Sequence, residues 1–230
     1  MSIQQNLEHI LSRIRAAELR AGRPAGSVRL VAVSKTFPAE DVKACHDAGQ
    51  RIFGENKVQE GLGKIPSLPP DTEWHLIGPL QRNKVRQVVG KADLIQSVGS
   101  TELLQEIEKA AGRLELCQDI LLEVNIGGEE AKSGFAPEEL LQAAQEAKKC
   151  ENVRVRGLMC IPPVAEGEHG SLPYFEKVHA LFVDINAKLY DNTLDILSMG
   201  MSGDYEDAVR AGATMVRVGT AIFGARNYTN

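Results

Sequence analysis

The stretch RLVAVSKTFPAEDV, residues 29–42, is apolar from Leu30 to Val33, turns polar at Ser34 and Lys35, and reaches a helical pattern at Pro38. A lysine where a buried strand stops is ordinarily a solvated charge on a long stem. Partly desolvated, the same amine has a lowered pKa and attacks a carbonyl to form a Schiff base. Two later stretches carry the chemistry of an anion site. In VRVGTAIFG, Gly219 and Thr220 follow Arg217; in SMGMSGDYEDAV, Ser202 and Gly203 precede a helical pattern, with Asp204 as its expected cap. Glycine lets backbone N–H groups approach phosphate oxygens, and a helix N-terminus adds its dipole. Loops use glycine for other reasons too, so it is the two clusters together that point to phosphate. His75, after Trp74 in WHLIG, is either a ligand contact or a hydrogen-bonded core histidine. Asn56, in GEN, fits a turn or hinge. The five histidines show no H-E-x-x-H or paired spacing, so no metal centre is expected.

These residues need elements to hold them. Residues 3–20 carry apolar positions at helical spacing: Ile3, Leu7, Ile10, Leu11, Ile14 and Ala17. After the break GRPAGS, short apolar runs recur at 28–35, 51–56, 74–78, 93–100, 119–126, 153–160, 195–202 and 215–224. Helical patterns lie between them, clearest in PAEDVKACHDAG, QRNKVRQVVGKA, STELLQEIEKAAGRL, APEELLQAAQEAKKC and SLPYFEKVHALFVDINAKL. Ser100 is a plain N-cap, and Pro38 and Pro137 suit first helical turns. The runs are rich in Val, Ile and Leu, as strands buried on both faces are.

Eight β/α units imply an α/β fold, a single-domain (β/α)8 barrel over residues 1–230. The extra N-terminal helix fills the place of a helix missing after the eighth strand. An open doubly wound sheet uses the same alternation; eight is the number that closes. In a barrel the C-terminal strand ends face the active site. Here they gather Ser34, Lys35, Glu55, Asn56, His75, Gly78, Ser97, Asn125, Met159, the Ser198–Ser202 stretch, Arg217, Gly219 and Thr220. A lysine able to form an imine, across one barrel mouth from a phosphate cradle, implies pyridoxal 5′-phosphate as the ligand.

Composition sets the surroundings. A net charge of −5 argues against a nucleic-acid-binding surface. No apolar run approaches the roughly 18 residues of a membrane span. The N-terminal stretch, with charges of both signs and no apolar h-region, does not read as a signal peptide. The 4 cysteines form no C-x-x-C pair and fit reduced thiols, so a cytoplasmic location is expected. The lack of an obvious exposed apolar stripe predicts a monomer.

The blocks VSKT, FGENKVQE, WHLIGPLQRNK, VNIGGEEAKSGF, RGLMCIPP and LSMGMSGDYEDAVRAGATMVRVGTAIFG resemble, in order and spacing, the pyridoxal phosphate homeostasis proteins (the YggS/PROSC family). The match runs from Val28 to Gly224; the family's usual VNISGEE reads VNIGGEE here, a change in a loop. The resemblance implies a barrel similar to the N-terminal domain of bacterial alanine racemase, with the cofactor joined to Lys35. It places the phosphate against Ser202, Gly219 and Thr220, and Arg217 near the pyridine nitrogen or the phosphate. Asn56, His75 and Met199 would line the pocket. The implied role is to hold, buffer and deliver vitamin B6 in its phosphorylated form to PLP-dependent apo-enzymes. Effects on amino-acid and keto-acid balance follow from that role, which includes no established turnover.

An amino-acid racemase is the competing reading. Racemisation needs a base on each face of the substrate carbanion, and alanine racemases take the second, a tyrosine, from a C-terminal β-domain. This sequence ends at Asn230, soon after the eighth strand, so that domain is expected to be absent. Of Tyr174, Tyr190, Tyr205 and Tyr228, Tyr205 alone falls near the mouth, and as a helix residue it is expected to pack beside the barrel. An arginine partner at the pyridine nitrogen makes the ring a weaker electron sink than an aspartate would, an arrangement that racemases tolerate; the missing β-domain, which leaves the cofactor open to water, weighs more. The carrier reading is therefore preferred.

Overall fold

The computed structural model describes residues 2–129 and 132–224. Its first element, α1 (Ile3–Arg20), starts at a reciprocal cap: Ser2 Oγ accepts from the Gln5 N–H and Gln5 Oε1 accepts from the Ser2 N–H. Its buried stripe is Leu7, Ile10, Ile14 and Ala17, the spacing read from the sequence. Glu18, also fully buried, accepts from the Gly26 and Val28 N–H groups and from Ser27 Oγ. Those three donors make the GRPAGS break a defined turn that aims the chain into the first strand.

The strands are β1 (Arg29–Val33), β2 (Ile52–Glu55), β3 (Glu73–Leu76), β4 (Leu94–Val98), β5 (Gln118–Val124), β6 (Val153–Cys160), β7 (Ile196–Ser198) and β8 (Met215–Val218). All pair in parallel in sequence order, and β1 closes on β8 from Arg29↔Met215 to Ala32↔Val218. The barrel anticipated from eight runs is the fold. The helices are α2 (Ala39–Asp47), α3 (Val58–Lys64), α4 (Val85–Val88), α5 (Thr101–Arg113), α6 (Leu140–Lys148), α7 (Leu172–Leu189), α8 (Tyr205–Arg210) and α9 (Thr220–Phe223). Ser100 caps α5 through the Leu103 N–H, as expected.

Two apolar layers result. Val31, Ile52, Leu94, Leu121, Met159, Ile196 and Met215 fill the barrel interior; a larger cluster fills the space between strands and helices. α1 packs on α2, α8 and α9 and so completes the helical ring. Arg20 pairs with Glu206 at 2.6 Å, Arg13 bonds the same carboxylate, and Asn6 Nδ2 donates to the Ile222 carbonyl.

Several boundaries differ from the sequence reading, three of them through glycine. The eighth run was expected to be extended through Gly224, with no helix after it, but Thr220–Phe223 is one helical turn. The backbone breaks at Gly219, with φ −119° and ψ −81°, and the Gly224 N–H bonds back to the Thr220 carbonyl. The seventh run is a strand only as far as Ser198, because Gly200 turns the chain at φ +89°, where a side chain would meet Ala208. Val58–Lys64 is a helix whose two glycines hide its pattern. Gly61 is needed there because a Cβ would lie 2.3 Å from the Trp74 indole.

Gly157 sits where β6 slips register against β5, at φ +155°, and a Cβ there would lie 1.7 Å from the Ile196 carbonyl oxygen. Gly157→Ala is predicted to destabilise the fold by about 3 kcal/mol or more, since both backbone strain and a backbone clash oppose it. Gly63→Ala, a helical position with open space around it, is predicted to be neutral or to stabilise by roughly 0.5–1 kcal/mol. Urea unfolding of the two variants checks this; equal stabilities would contradict it.

Candidate functional site

Lys35 stands in a tight turn directly after β1. The Phe37 N–H closes the turn on the Ser34 carbonyl at 3.1 Å. Thr36, the third residue, is at φ +71°. That is the left-handed region, a strained place for a β-branched residue, which persists only where surrounding contacts over-determine it. The contacts come from α3. The Glu60 carboxylate accepts the Thr36 N–H. Lys64 Nζ donates to the Ser34 carbonyl at 2.8 Å, to Glu55 Oε1 at 2.7 Å and to Glu60 Oε1 at 2.8 Å. Ser34 Oγ donates to Glu55 Oε1 at 2.7 Å. Burial pushes the Glu55 carboxyl pKa up, against the pull of Lys64 and Ser34, and its Oε2 is buried without a partner among the described residues. On the other side, the Phe37 ring stacks on Phe223 of α9, centroids 5.0 Å apart. Lys35 itself is half-buried.

Phe223 belongs to the second half of the site. Here the loops after β7 and β8 meet: the Gly219 N–H lies 3.5 Å from Ser202 Oγ, and the Arg217 N–H bonds the Gly200 carbonyl at 3.0 Å. Ser202, Gly203 and Thr220 are exposed at this junction. Asp204 occupies the N-cap position of α8, but its Oδ1 turns back to accept the Met201 N–H at 2.7 Å and makes no bond into the helix. It shapes the loop and leaves the α8 terminus uncapped by a side chain, a correction to the sequence reading.

Arg217 points into the barrel and is 3% exposed. Nη1 donates to Ser198 Oγ at 2.7 Å and Nη2 to the Cys160 carbonyl at 2.8 Å, both neutral acceptors. Burial pulls its pKa below the ordinary guanidinium value; a guanidinium remains charged in proteins all the same. Behind it, Ser198 Oγ donates to Gln96 Oε1 at 2.6 Å, Gln96 Nε2 reaches His75 Nδ1 at 2.9 Å, and His75 Nε2 reaches Glu73 Oε1 at 2.9 Å.

The expected site residues thus divide. Lys35 follows β1, and Ser202, Gly219 and Thr220 follow the neighbouring β7 and β8, so the lysine and the expected phosphate cradle are side by side, linked through the Phe37–Phe223 stack, and not across the mouth as expected from the sequence. Asn56 is half-buried after β2, with its backbone pressed against Gly78, where a Cβ would lie 2.4 Å from the Asn56 carbonyl oxygen. His75 is wholly buried, both ring nitrogens engaged, so it stands in the barrel core behind Arg217 and does not line the mouth. Met199 is likewise wholly buried in the larger hydrophobic cluster, so its side chain is not presented to the mouth. Tyr205 is buried in the helix layer, its ring 5.9 Å from the Arg13 guanidinium and its hydroxyl without a partner among the described residues. Tyr228 lies outside the described residues.

Sequence reasoning passed over Glu60, Lys64, Glu73 and Gln96, and counted Ser198 only as part of a stretch. The available signal was parity. Glu73 and His75, like Leu94 and Gln96, are two apart in strands whose alternate residues face the barrel interior.

Comparison with known proteins adds the lineage. The family model for the alanine racemase N-terminal domain matches residues 5–227. The pyridoxal phosphate homeostasis protein of Aquifex aeolicus is 43% identical over 229 residues, covering 99% of this chain and 100% of its own. That of Escherichia coli K12 is 40% identical over 232 residues, covering 99% and 98%. The chain belongs to the pyridoxal phosphate homeostasis protein family. Among solved structures, PipY of Synechococcus elongatus PCC7942 without PLP is 38% identical, with a TM-score of 0.83 over 91% of this chain and 98% of that one. The same protein with PLP bound gives 37% and 0.80 over the same shares. Alanine racemase of Clostridium difficile 630 is 18% identical, with a TM-score of 0.75 over 98% of this chain and 58% of the racemase, a likeness of fold. Among the described residues no helix is long and apolar enough to cross a membrane.

The Glu73–His75 pair makes stability depend on pH. The hydrogen bond from His75, helped by Arg29, holds the Glu73 carboxyl down from an ordinary 4.5 to about 2, and burial pulls the His75 pKa below 6.5. The depressed carboxylate stabilises the fold above pH 4.5, and that contribution is lost as the pH falls towards 2. The buried imidazole acts in the same direction, because below pH 6.5 the unfolded chain takes up a proton that the folded core resists. The contribution of this pair to the unfolding free energy is therefore predicted to fall from pH 6.5 downwards. The stability difference between wild type and Glu73→Gln should shrink as the pH drops below 4.5. Urea titrations at several pH values check it; a pH-independent difference would contradict the assignment.

Proposed function

We propose that this chain binds pyridoxal 5′-phosphate at Lys35 and holds it for intracellular supply, buffering the cofactor and delivering it to PLP-dependent apo-enzymes. Effects on amino-acid and keto-acid balance would follow from that supply. The observation that carries the reading is the strained Lys35 turn, braced by α3 and stacked through Phe37 on the α9 turn that follows Gly219. The names of the relatives and the PLP-bound PipY structure support the same ligand.

The donor set suits that ligand. Ser202 Oγ, the Gly219 N–H and the Thr220 hydroxyl offer short, neutral donors to a phosphate. Arg217 offers a buried cation towards the pyridine nitrogen, and Asn56 borders the mouth beside Lys35's strand. Glu55, with one buried oxygen unpartnered, adds acceptor capacity beneath the lysine turn. When bound, the cofactor supplies an aldehyde that a lysine amine captures reversibly. The chain's own work is to fix the amine, anchor the phosphate and present a guanidinium to the ring.

A racemase would need a second base opposite Lys35. Tyr205, the tyrosine nearest the mouth in sequence, packs under Arg13 in the helix layer, which favours a carrier without turnover. The four unpaired thiols, Cys45, Cys117, Cys150 and Cys160, suit the reducing cytoplasm. The larger exposed apolar side chains, such as Leu19, Leu114 and Val183, belong to different helices or loops, which suits a monomer.

Wild type mixed with the cofactor is predicted to turn yellow, to retain it through gel filtration, and to invert neither D- nor L-amino acids. Lys35→Ala is predicted to lose both colour and retention. An unchanged band in Lys35→Ala would assign the link to another lysine, and clear inversion by wild type would make the protein an enzyme. Thr220→Val removes one charge-assisted hydrogen bond to the phosphate, worth about 1–3 kcal/mol, and should raise the dissociation constant roughly 5- to 150-fold. Equal retention would remove Thr220 from the phosphate site.

A further inference from the structure

One line of hydrogen-bonded side chains crosses the barrel interior. It starts at the N-terminal rim, where Arg29 Nη2 donates to both Glu73 oxygens at 2.8 and 2.6 Å, and passes through His75, Gln96 and Ser198 to Arg217. His75, Gln96 and Ser198 are each fully buried. The strands that contribute, β1, β3, β4, β7 and β8, come from both halves of the chain; Ser198 and Gln96 are 102 residues apart.

The two ends dictate every proton between them. A guanidinium only donates, so Ser198 Oγ must accept from Arg217 and give its own proton onwards. Gln96 Oε1 takes that proton, which turns the amide nitrogen towards His75. An amide nitrogen only donates, so His75 Nδ1 is bare and the proton sits on Nε2, aimed at the Glu73 carboxylate. Each group has one role consistent with its neighbours, so the line runs one way from Arg217 to Glu73. Three polar side chains among the apolar layer of Val31, Leu94, Leu121 and Met215 carry a desolvation penalty that aliphatic residues would avoid. A fully satisfied network of this kind specifies one arrangement of its members.

We infer that His75, Gln96 and Ser198 are positioning residues that fix the orientation of the Arg217 guanidinium at the floor of the mouth. Of its five N–H groups, one on Nη1 is taken by Ser198 and one on Nη2 by the Cys160 carbonyl, which pins the plane of the group from the barrel side. The direction of the remaining N–H groups towards the mouth is then set by residues that never reach it. This rests on the proposed function in one respect: that Arg217 faces the cofactor ring.

The test uses Ser198→Ala, Ser198→Thr and Gln96→Leu, each compared with wild type for folding by circular dichroism. On cofactor-free protein, nitrogen-15 NMR is expected to show His75 neutral and protonated on Nε2 in wild type. The Arg217 guanidinium protons should exchange slowly there, and faster by on the order of tenfold in Ser198→Ala and Gln96→Leu. With pyridoxal phosphate, both variants should still label at Lys35, release the cofactor on the order of tenfold faster and show a shifted absorption maximum. Ser198→Thr, which keeps the hydroxyl, should restore both towards wild type. Wild-type exchange, release and absorption in Ser198→Ala would overturn the inference, as would a His75 protonated on Nδ1. Should Gln96→Leu not fold, Ser198→Ala decides alone. A wild type that takes up no cofactor would sink the functional reading, and the exchange data on cofactor-free protein would still support or overturn the positioning role.

Discussion

A guanidinium placed inside a barrel has to be given acceptors, and much of this interior is arranged around that requirement. Arg217 stays charged when buried, so a purely aliphatic core would leave its donors unpaired at a penalty of several kcal/mol. Ser198 and the Cys160 carbonyl take the guanidinium N–H groups, but a buried serine then has a proton of its own to place. Gln96 takes it, which obliges His75, which obliges Glu73. The chain of obligations ends only where Glu73 meets Arg29 at the partly exposed N-terminal rim. One charge thus explains a histidine and a glutamine in strands that otherwise carry Leu, Ile and Val.

A different demand holds at Lys35: on the proposed function, its amine has to be brought to a fixed place at the mouth. The structure places it through the backbone. Thr36 takes a left-handed conformation that glycine would adopt more easily, and α3 holds it there with Glu60 on one peptide and Lys64 on the next. Phe37 then ties the turn to α9. The two halves of the mouth are consequently one mechanical unit. β1 and β8 are hydrogen-bonded neighbours, and the loops that follow them are stacked ring on ring.

Much of this was legible in the sequence. Eight Val/Ile/Leu runs alternating with helical patterns give a closed parallel barrel because such strands are buried on both faces. That Lys35, Ser202, Gly219 and Thr220 share one end of the barrel could be read because strand ends in this fold share one face. What was not legible depends on which way side chains point across distant strands. His75 read as a pocket residue because its strand ends at the mouth; its partner Gln96 comes from the next strand and fixes it inside. Met199 follows β7 and reads as a rim residue, whereas its side chain is buried in the larger hydrophobic cluster. The α9 turn was hidden because TAIF is as apolar as a strand, and only the backbone at Gly219 distinguishes them.

The central claim is that Lys35, held by this braced turn, is the amine that takes the cofactor. The direct test is to load wild-type protein with pyridoxal phosphate, reduce it with borohydride, digest it and map the modified peptide by mass spectrometry. The account predicts a single modified residue, Lys35. A modification on Lys64 or on any other lysine, or none at all after saturating cofactor, would contradict it.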